Sequence, residues 1–172
     1  MGESALGLVI VVIVILLVAA LVMVWLVYRV PKNCTRCRIK PICSGASLEK
    51  CEASFDTMFQ LDTKLGECGI EYKKRYGGKT AEYMLKEHPD RSFSYMKRSI
   101  YLVLKKPSGE TFDENTLVYV GLHELGHVLC AKMDGDEHGP EYQLVFSRLL
   151  SIAQEKGYYD PAKGMDDTYP HS

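Results

Sequence analysis

Two histidines and a glutamate lie close together within residues 120–129, VGLHELGHVL. His123 and His127 are four residues apart, so on a helix both imidazoles leave the same face and could bind one metal ion. Glu124 follows His123 directly, and at this position it could accept a proton from an activated water molecule. Gly126 leaves room beside the metal, at some cost in helix propensity. The spacing predicts a metal-dependent hydrolytic site, and the ordinary alternative is a solvated helix face.

A catalytic zinc ion needs a third protein ligand and one open position. Of the three histidines outside the motif, His138 lies in a segment whose glycines permit a turn back towards the helix. We therefore predict that Zn²⁺ is the cofactor and that His138 is the third ligand. The carboxylates around His138 stay as alternative ligands: Asp134, Asp136, Glu137 and Glu141.

The string HELGH followed by EHGPEY resembles the SprT-like and WLM zinc metallopeptidases, whose cores carry HExxH and then a third histidine in an HGxxF-like context. The similarity covers about residues 100–157, and small proteins of this type also look similar to predicted peptidases of large DNA viruses. The resemblance implies a zincin-like fold with His123, His127 and His138 as zinc ligands and Glu124 as the general base. It also implies peptide hydrolysis, with an extended substrate pairing along an edge strand at Ser99–Leu104.

The elements that must position these residues can be read from apolar spacing and turn signals. We predict a helix over Phe55–Gly66 with Ser54 as its N-cap, and a short helix over Thr80–His88. The β-formers of Ser99–Leu104 predict a strand before the metal-binding helix. That helix is expected to begin after Asp113 and to end near Lys132, and a last helix to run from Pro140 to about Lys156.

The N-terminal stretch Ala5–Tyr28 contains no charged side chain. As a helix it would be about 36 Å long at 1.5 Å per residue, which suits a bilayer core. We predict a single transmembrane anchor, with a cleaved signal peptide and a buried core helix as the alternatives. Basic residues follow the stretch from Arg29 to Lys40, so the positive-inside rule places the C-terminal domain in the cytosol.

Four cysteines follow the apolar stretch, at Cys34, Cys37, Cys43 and Cys51. Four thiolates could close a structural zinc site, although only the first pair has the short spacing typical of one. Disulfides are the competing interpretation in an oxidising compartment, and unpaired thiols are the third.

These observations predict an α+β protein in four parts: a single N-terminal transmembrane helix over residues 5–28, a Cys-rich basic segment over 29–53, a zincin-like domain over 54–158 and a loose tail over 159–172. The expected partners are membrane lipid and a peptide or protein substrate. A net charge of −1 gives no global basic field, so we expect no nucleic-acid partner. The alternative functions are a structural membrane or virion protein with a non-catalytic fold, and a Cys-rich membrane adaptor.

Overall fold

The structure is a computed structural model that describes residues 13, 15–18, 38–78, 81–130 and 137–170. The chain divides into two units, residues 1–34 and residues 35–172. The second unit contains helices α1 (Leu48–Tyr76), α2 (Glu114–Leu129) and α3 (Pro140–Glu155). It also contains strands β1 (Ile39–Lys40), β2 (Met84–Glu87), β3 (Phe93–Tyr95) and β4 (Ser99–Leu102). The α+β character of this unit is therefore confirmed.

The four strands form one sheet in the order β1-β2-β4-β3. Strands β1, β2 and β4 are parallel, and β3 pairs antiparallel with β4 through a tight hairpin. The prediction that the Ser99 strand is an edge is wrong, because β4 lies between β2 and β3. The edge on this side is β3, whose three residues are too few to give a strand signal in the sequence.

The core fills the space between one face of the sheet and the three helices. Its fully buried side chains include Met58, Leu65, Leu85, Ile100, Leu102, Leu122, Leu125, Leu149 and Ile152. Helices α1 and α2 approach so closely that a Cβ atom on Gly121 would lie 3.0 Å from a methyl carbon of Leu65. Helix α2, which carries the HELGH motif, is thus packed against both α1 and α3.

Two predicted helices differ from the structure. Helix α1 begins after Ser47, whose hydroxyl accepts a hydrogen bond from the Lys50 backbone, and it runs past both predicted ends. Ser54 is a buried residue inside this helix and not its N-cap. The predicted short helix before Pro89 is instead strand β2, because pairing with β1 and β4 on both sides stabilises the extended backbone.

The predicted transmembrane anchor is corrected by the structure. Among the residues that the structure describes, none of the helices combines the length and the apolar composition needed to cross a bilayer. The predictions of a membrane-spanning fold class and of a single-pass protein with a cytosolic domain are therefore wrong for the described chain. Within 5–28, residues 13 and 15–18 are described and helical, and the rest of that segment lies outside the described residues.

The C-terminal tail is docked on the domain, contrary to the prediction that it is loose. The amide nitrogen of Asn115 donates to the carbonyls of Asp160 and Gly164, and Asp166 forms an ion pair with Lys106 at 2.6 Å. Tyr169 is only 3% exposed and its ring packs against Phe112. Polar contacts with partners in the domain hold this segment. The sequence did not predict them, because the low apolar content of the tail gave no sign that it packs on the domain.

The hydroxyl of Tyr169 provides a test of this docking. It lies 2.6 Å from Ser92 Oγ and donates to the Val103 carbonyl at 3.0 Å, all within the buried interior. We expect Tyr169→Phe to lower the free energy of unfolding by about 1–3 kcal/mol, because buried polar partners lose a hydrogen bond. Urea denaturation of the full chain measures this change.

The matched control for this variant is Tyr159→Phe, because Tyr159 is half-buried and its ring contacts Tyr119. Equal unfolding free energies for Tyr169→Phe and the wild type would contradict the docked position of the tail.

Candidate metal centre

Helix α2 presents His123 and His127 from one face, as their spacing predicts. The helix begins at the predicted N-cap, where the Asp113 carboxylate accepts hydrogen bonds from the Thr116 backbone at 3.0 Å and hydroxyl at 2.6 Å. The opposite face of α2 carries Leu122 and Leu125, which are fully buried. Burial of that face fixes the rotation of the helix, so both histidines lie half-buried at the surface of the domain.

His138 joins these two histidines from the turn that precedes α3. Its Nε2 atom lies 3.2 Å from Nε2 of His123, and Nε2 of His127 lies 3.3 Å from the same atom. The ring centroids of His127 and His138 are 4.9 Å apart. Three imidazole nitrogens thus converge on one point, and these three residues form a group that could hold a metal ion.

The two measured separations fit a tetrahedral ion. With zinc–nitrogen bonds of about 2.0–2.1 Å, two ligand nitrogens at tetrahedral angles lie roughly 3.3–3.4 Å apart. The observed distances of 3.2 and 3.3 Å agree with this spacing to about 0.1 Å. Three nitrogen ligands of this geometry leave the fourth tetrahedral position open.

Tyr142 lies behind the histidines and contacts all three. Its hydroxyl lies 2.6 Å from Nδ1 of His123 and 3.2 Å from the backbone carbonyl of the same residue. Its ring stacks on His127 at a centroid distance of 4.3 Å, and it meets the His138 ring edge-on at 5.0 Å. In the sequence this residue ends the EHGPEY string that carries the family resemblance, but it was assigned no role there.

Gly126 permits the approach of this tyrosine. A Cβ atom at position 126 would lie 3.0 Å from Cε2 of Tyr142, which is closer than most side chains tolerate. The glycine of HELGH therefore makes room for the Tyr142 ring against α2. Gly126 was predicted to leave space beside the metal. In the structure that space is filled by the ring of Tyr142, which packs behind the histidines.

The electrostatics of the site favour neutral imidazoles. Burial, together with the neighbouring His127 and His138, lowers the pKa of His123 to about 4. Burial and the nearby His138 also lower the pKa of His127. A neutral imidazole has a nitrogen lone pair available for a metal ion, so both residues are ready to bind near neutral pH.

Glu124 is buried between α2 and the hairpin, with 2% of its surface exposed. Burial raises its pKa to about 7, and a hydrogen bond from the Ser94 backbone opposes this shift. A dication at the three histidines would favour the ionised form further, because opposite charges stabilise each other. The carboxylate of Glu124 therefore lies beside the edge strand β3. Burial is the main cause of its raised pKa.

The other predicted ligands lie elsewhere. Within the described part of the chain, the metal-competent group contains only the three histidines; Glu137 and Glu141 are exposed and not members of it. Asp134 and Asp136 lie outside the described residues. Cys43 and Cys51 form a disulfide at a Cα–Cα distance of 5.2 Å, whereas Cys34 and Cys37 also lie outside the described residues.

The fold and the site together define a small α+β domain in which two histidines of α2 and one from the turn before α3 form a group that could hold a metal ion. No protein-family model matches the chain, and no solved structure matches it.

The chain is similar to two virus proteins. It is 39% identical over 92 residues to "Uncharacterized protein 136R" of Invertebrate iridescent virus 6, covering 52% of this chain and 49% of that protein. It is 37% identical over 79 residues to "Uncharacterized protein 042R" of Invertebrate iridescent virus 3, covering 45% of this chain and 48% of that protein. The chain thus spans about half the length of the curated relatives it matches, and the SprT-like and WLM resemblance stays a prediction.

Removal of two ligands tests the centre directly. We expect the full chain to bind zinc, and the His123→Ala/His127→Ala double variant to lose about one equivalent per chain, because one ligand cannot hold the ion. Metal content after dialysis against a trace of zinc, measured by mass spectrometry, decides the outcome.

His88→Ala is the matched control for this experiment. The His88 ring accepts hydrogen bonds at Nδ1 from the Asp90 and Arg91 backbones in a turn, at 3.2 and 3.3 Å. If the double variant retains as much zinc as the His88 variant, the three histidines are not a metal site.

Proposed function

We propose that the protein is a zinc-dependent peptidase, in which His123, His127 and His138 hold the metal and Glu124 is the general base. The observation that carries the proposal is the convergence of three imidazole nitrogens at 3.2 and 3.3 Å, with a buried carboxylate from the next position of the same helix. A purely structural ion has no need of a desolvated carboxylate beside it.

Zinc is the ion that suits this ligand set best. Three neutral nitrogen donors with an open fourth position form the usual protein environment of catalytic zinc. Magnesium and calcium prefer oxygen ligands, so an all-imidazole site disfavours both. The nitrogen spacing corresponds to tetrahedral geometry, whereas copper(II) and nickel(II) prefer tetragonal arrangements.

The reaction assigns one task to each part of the site. A bound zinc ion supplies Lewis-acid activation of the attacking water and of the scissile carbonyl. Glu124 accepts the proton of the attacking water and delivers it to the leaving amine nitrogen. Because the Ser94 backbone N–H holds the carboxylate, Glu124 keeps one orientation for both proton transfers.

The edge strand β3 is the best place for an extended peptide substrate. Its central residue Ser94 is opposite Ile100 in the hairpin, and its backbone faces Glu124. A peptide that adds to this edge would pass beside the general base and across the metal position. The exposed side chain of Tyr95, with 53% of its surface accessible, borders this path.

A metal-stabilised structural protein is the alternative from a different class. It would bind zinc through the same histidines, so metal content alone does not separate the two functions. The two functions are separated by the peptide-cleavage activity of a variant that keeps the metal ligands but lacks the general base.

Glu124→Gln is that variant. We expect it to bind zinc as the wild type does and to lose at least about 100-fold in rate, because general-base catalysis contributes this much or more. The assay incubates zinc-loaded full-length protein with a mixture of unstructured peptides and reads cleavage by mass spectrometry.

Glu141→Gln serves as the control for Glu124→Gln, since Glu141 is an exposed carboxylate in the first turn of α3. Cleavage at equal rates by Glu124→Gln and the wild type would exclude the proposed mechanism. An inactive wild type that binds zinc would favour the structural alternative.

A further inference from the structure

Tyr142 combines two contacts that a core tyrosine does not need. It is 2% exposed, and its hydroxyl touches both Nδ1 and the backbone carbonyl of His123. We propose that Tyr142 is a positioning residue whose hydroxyl fixes the tautomer of His123. In this tautomer Nδ1 is protonated, and the unprotonated Nε2 is directed towards the metal site. This inference rests on the three-histidine centre of the proposed function.

The assignment follows from counting protons. A neutral imidazole carries one proton, and the hydroxyl of Tyr142 also carries one. The carbonyl of His123 can only accept, so the hydroxyl proton is directed to it at 3.2 Å. Nδ1 of His123 then donates its own proton to the hydroxyl oxygen at 2.6 Å. Both short contacts are satisfied, and Nε2 is left without a proton.

The opposite tautomer is incompatible with a metal ion held by the three histidines. A proton on Nε2 of His123 would point into the space between Nε2 of His127 and Nε2 of His138, at 3.3 and 3.2 Å. A metal ion held by the three histidines would occupy that space. In metal-binding histidines, the N–H of the ring nitrogen that does not bind the metal commonly donates a hydrogen bond to a fixed acceptor. This bond selects the tautomer and the ring orientation.

The same geometry excludes Tyr142 as a donor to the substrate. Its hydroxyl is on the Nδ1 side of His123, away from the converging Nε2 atoms, and the residue is buried. An oxyanion donor must reach the reacting carbonyl. Tyr142 therefore acts through His123 and not on the substrate itself.

Tyr142→Phe isolates the hydroxyl, because the ring that stacks on His127 and fills the space at Gly126 is kept. The matched control is Tyr119→Phe, which changes a tyrosine one helical turn before His123 that packs edge-on against Phe146. The probes are zinc ion alone, titrated against a chromophoric chelator, and long-range proton–nitrogen NMR of the histidine rings in the metal-free full chain. The His123 signals are identified by their loss in His123→Gln.

The expected result is a His123 protonated at Nδ1 in the metal-free wild type and in Tyr119→Phe. In Tyr142→Phe we expect the proton to move towards Nε2 and zinc binding to weaken by about 10- to 100-fold, the usual effect of losing such a partner. A wild-type His123 that is already protonated at Nε2 would overturn the proposal, whether or not the variant folds. Unchanged zinc affinity in Tyr142→Phe would also overturn it.

Failure of this inference is separable from failure of the proposed function. If the wild type binds no zinc, the peptidase proposal falls, yet the NMR of the metal-free protein still decides whether Tyr142 sets the tautomer. If zinc binds and the tautomer does not depend on Tyr142, the metal centre stands and only the positioning role is lost.

Discussion

The site depends on the contact between Tyr142 of α3 and Gly126 of α2. The tyrosine ring lies so close to the helix that a single added Cβ would be 3.0 Å from it. This contact sets the distance between the two helices, and the turn before α3 then carries His138 towards His123. His138 is exposed, so its position depends on the packing of the nearby Tyr142. The convergence of the three histidines thus depends on helix packing at Gly126, one residue before His127.

Local signals predicted the parts of the fold that depend on local interactions. The N-cap at Asp113 is confirmed, as are helix α2 around the motif and a last helix that begins at Pro140. An N-cap and a proline in the first turn act within a few residues, so the sequence alone displays them. The convergence of the three histidines was predictable for a similar reason, because the i,i+4 spacing supplies two of them and a glycine-bounded turn the third.

The failures concern interactions between distant residues. Gly66 was predicted to end helix α1, but the helix continues because tertiary packing on both sides of this position outweighs the cost of one glycine. The segment that forms strand β2 was predicted to be a helix. The prediction failed because a short segment takes its conformation from the strands that pair with it, and that pairing is not visible in the local sequence. Tyr142 belongs to the EHGPEY string, but no role was predicted for it, because only its hydroxyl contacts distinguish it from the other tyrosines of the chain.

The hairpin constrains the position of Glu124, the proposed general base. Met96 and Lys97 both adopt positive φ values, 50° and 52°, which are strained for residues with a side chain. The Lys97 ammonium donates a hydrogen bond to the Cys130 carbonyl at the end of α2. Strand β3 is therefore tied to α2 at two points, through Lys97 at its C-terminal end and through Ser94 at Glu124. A substrate that pairs with β3 would meet a base whose position relative to that strand is already fixed, so less conformational freedom is lost in reaching the transition state.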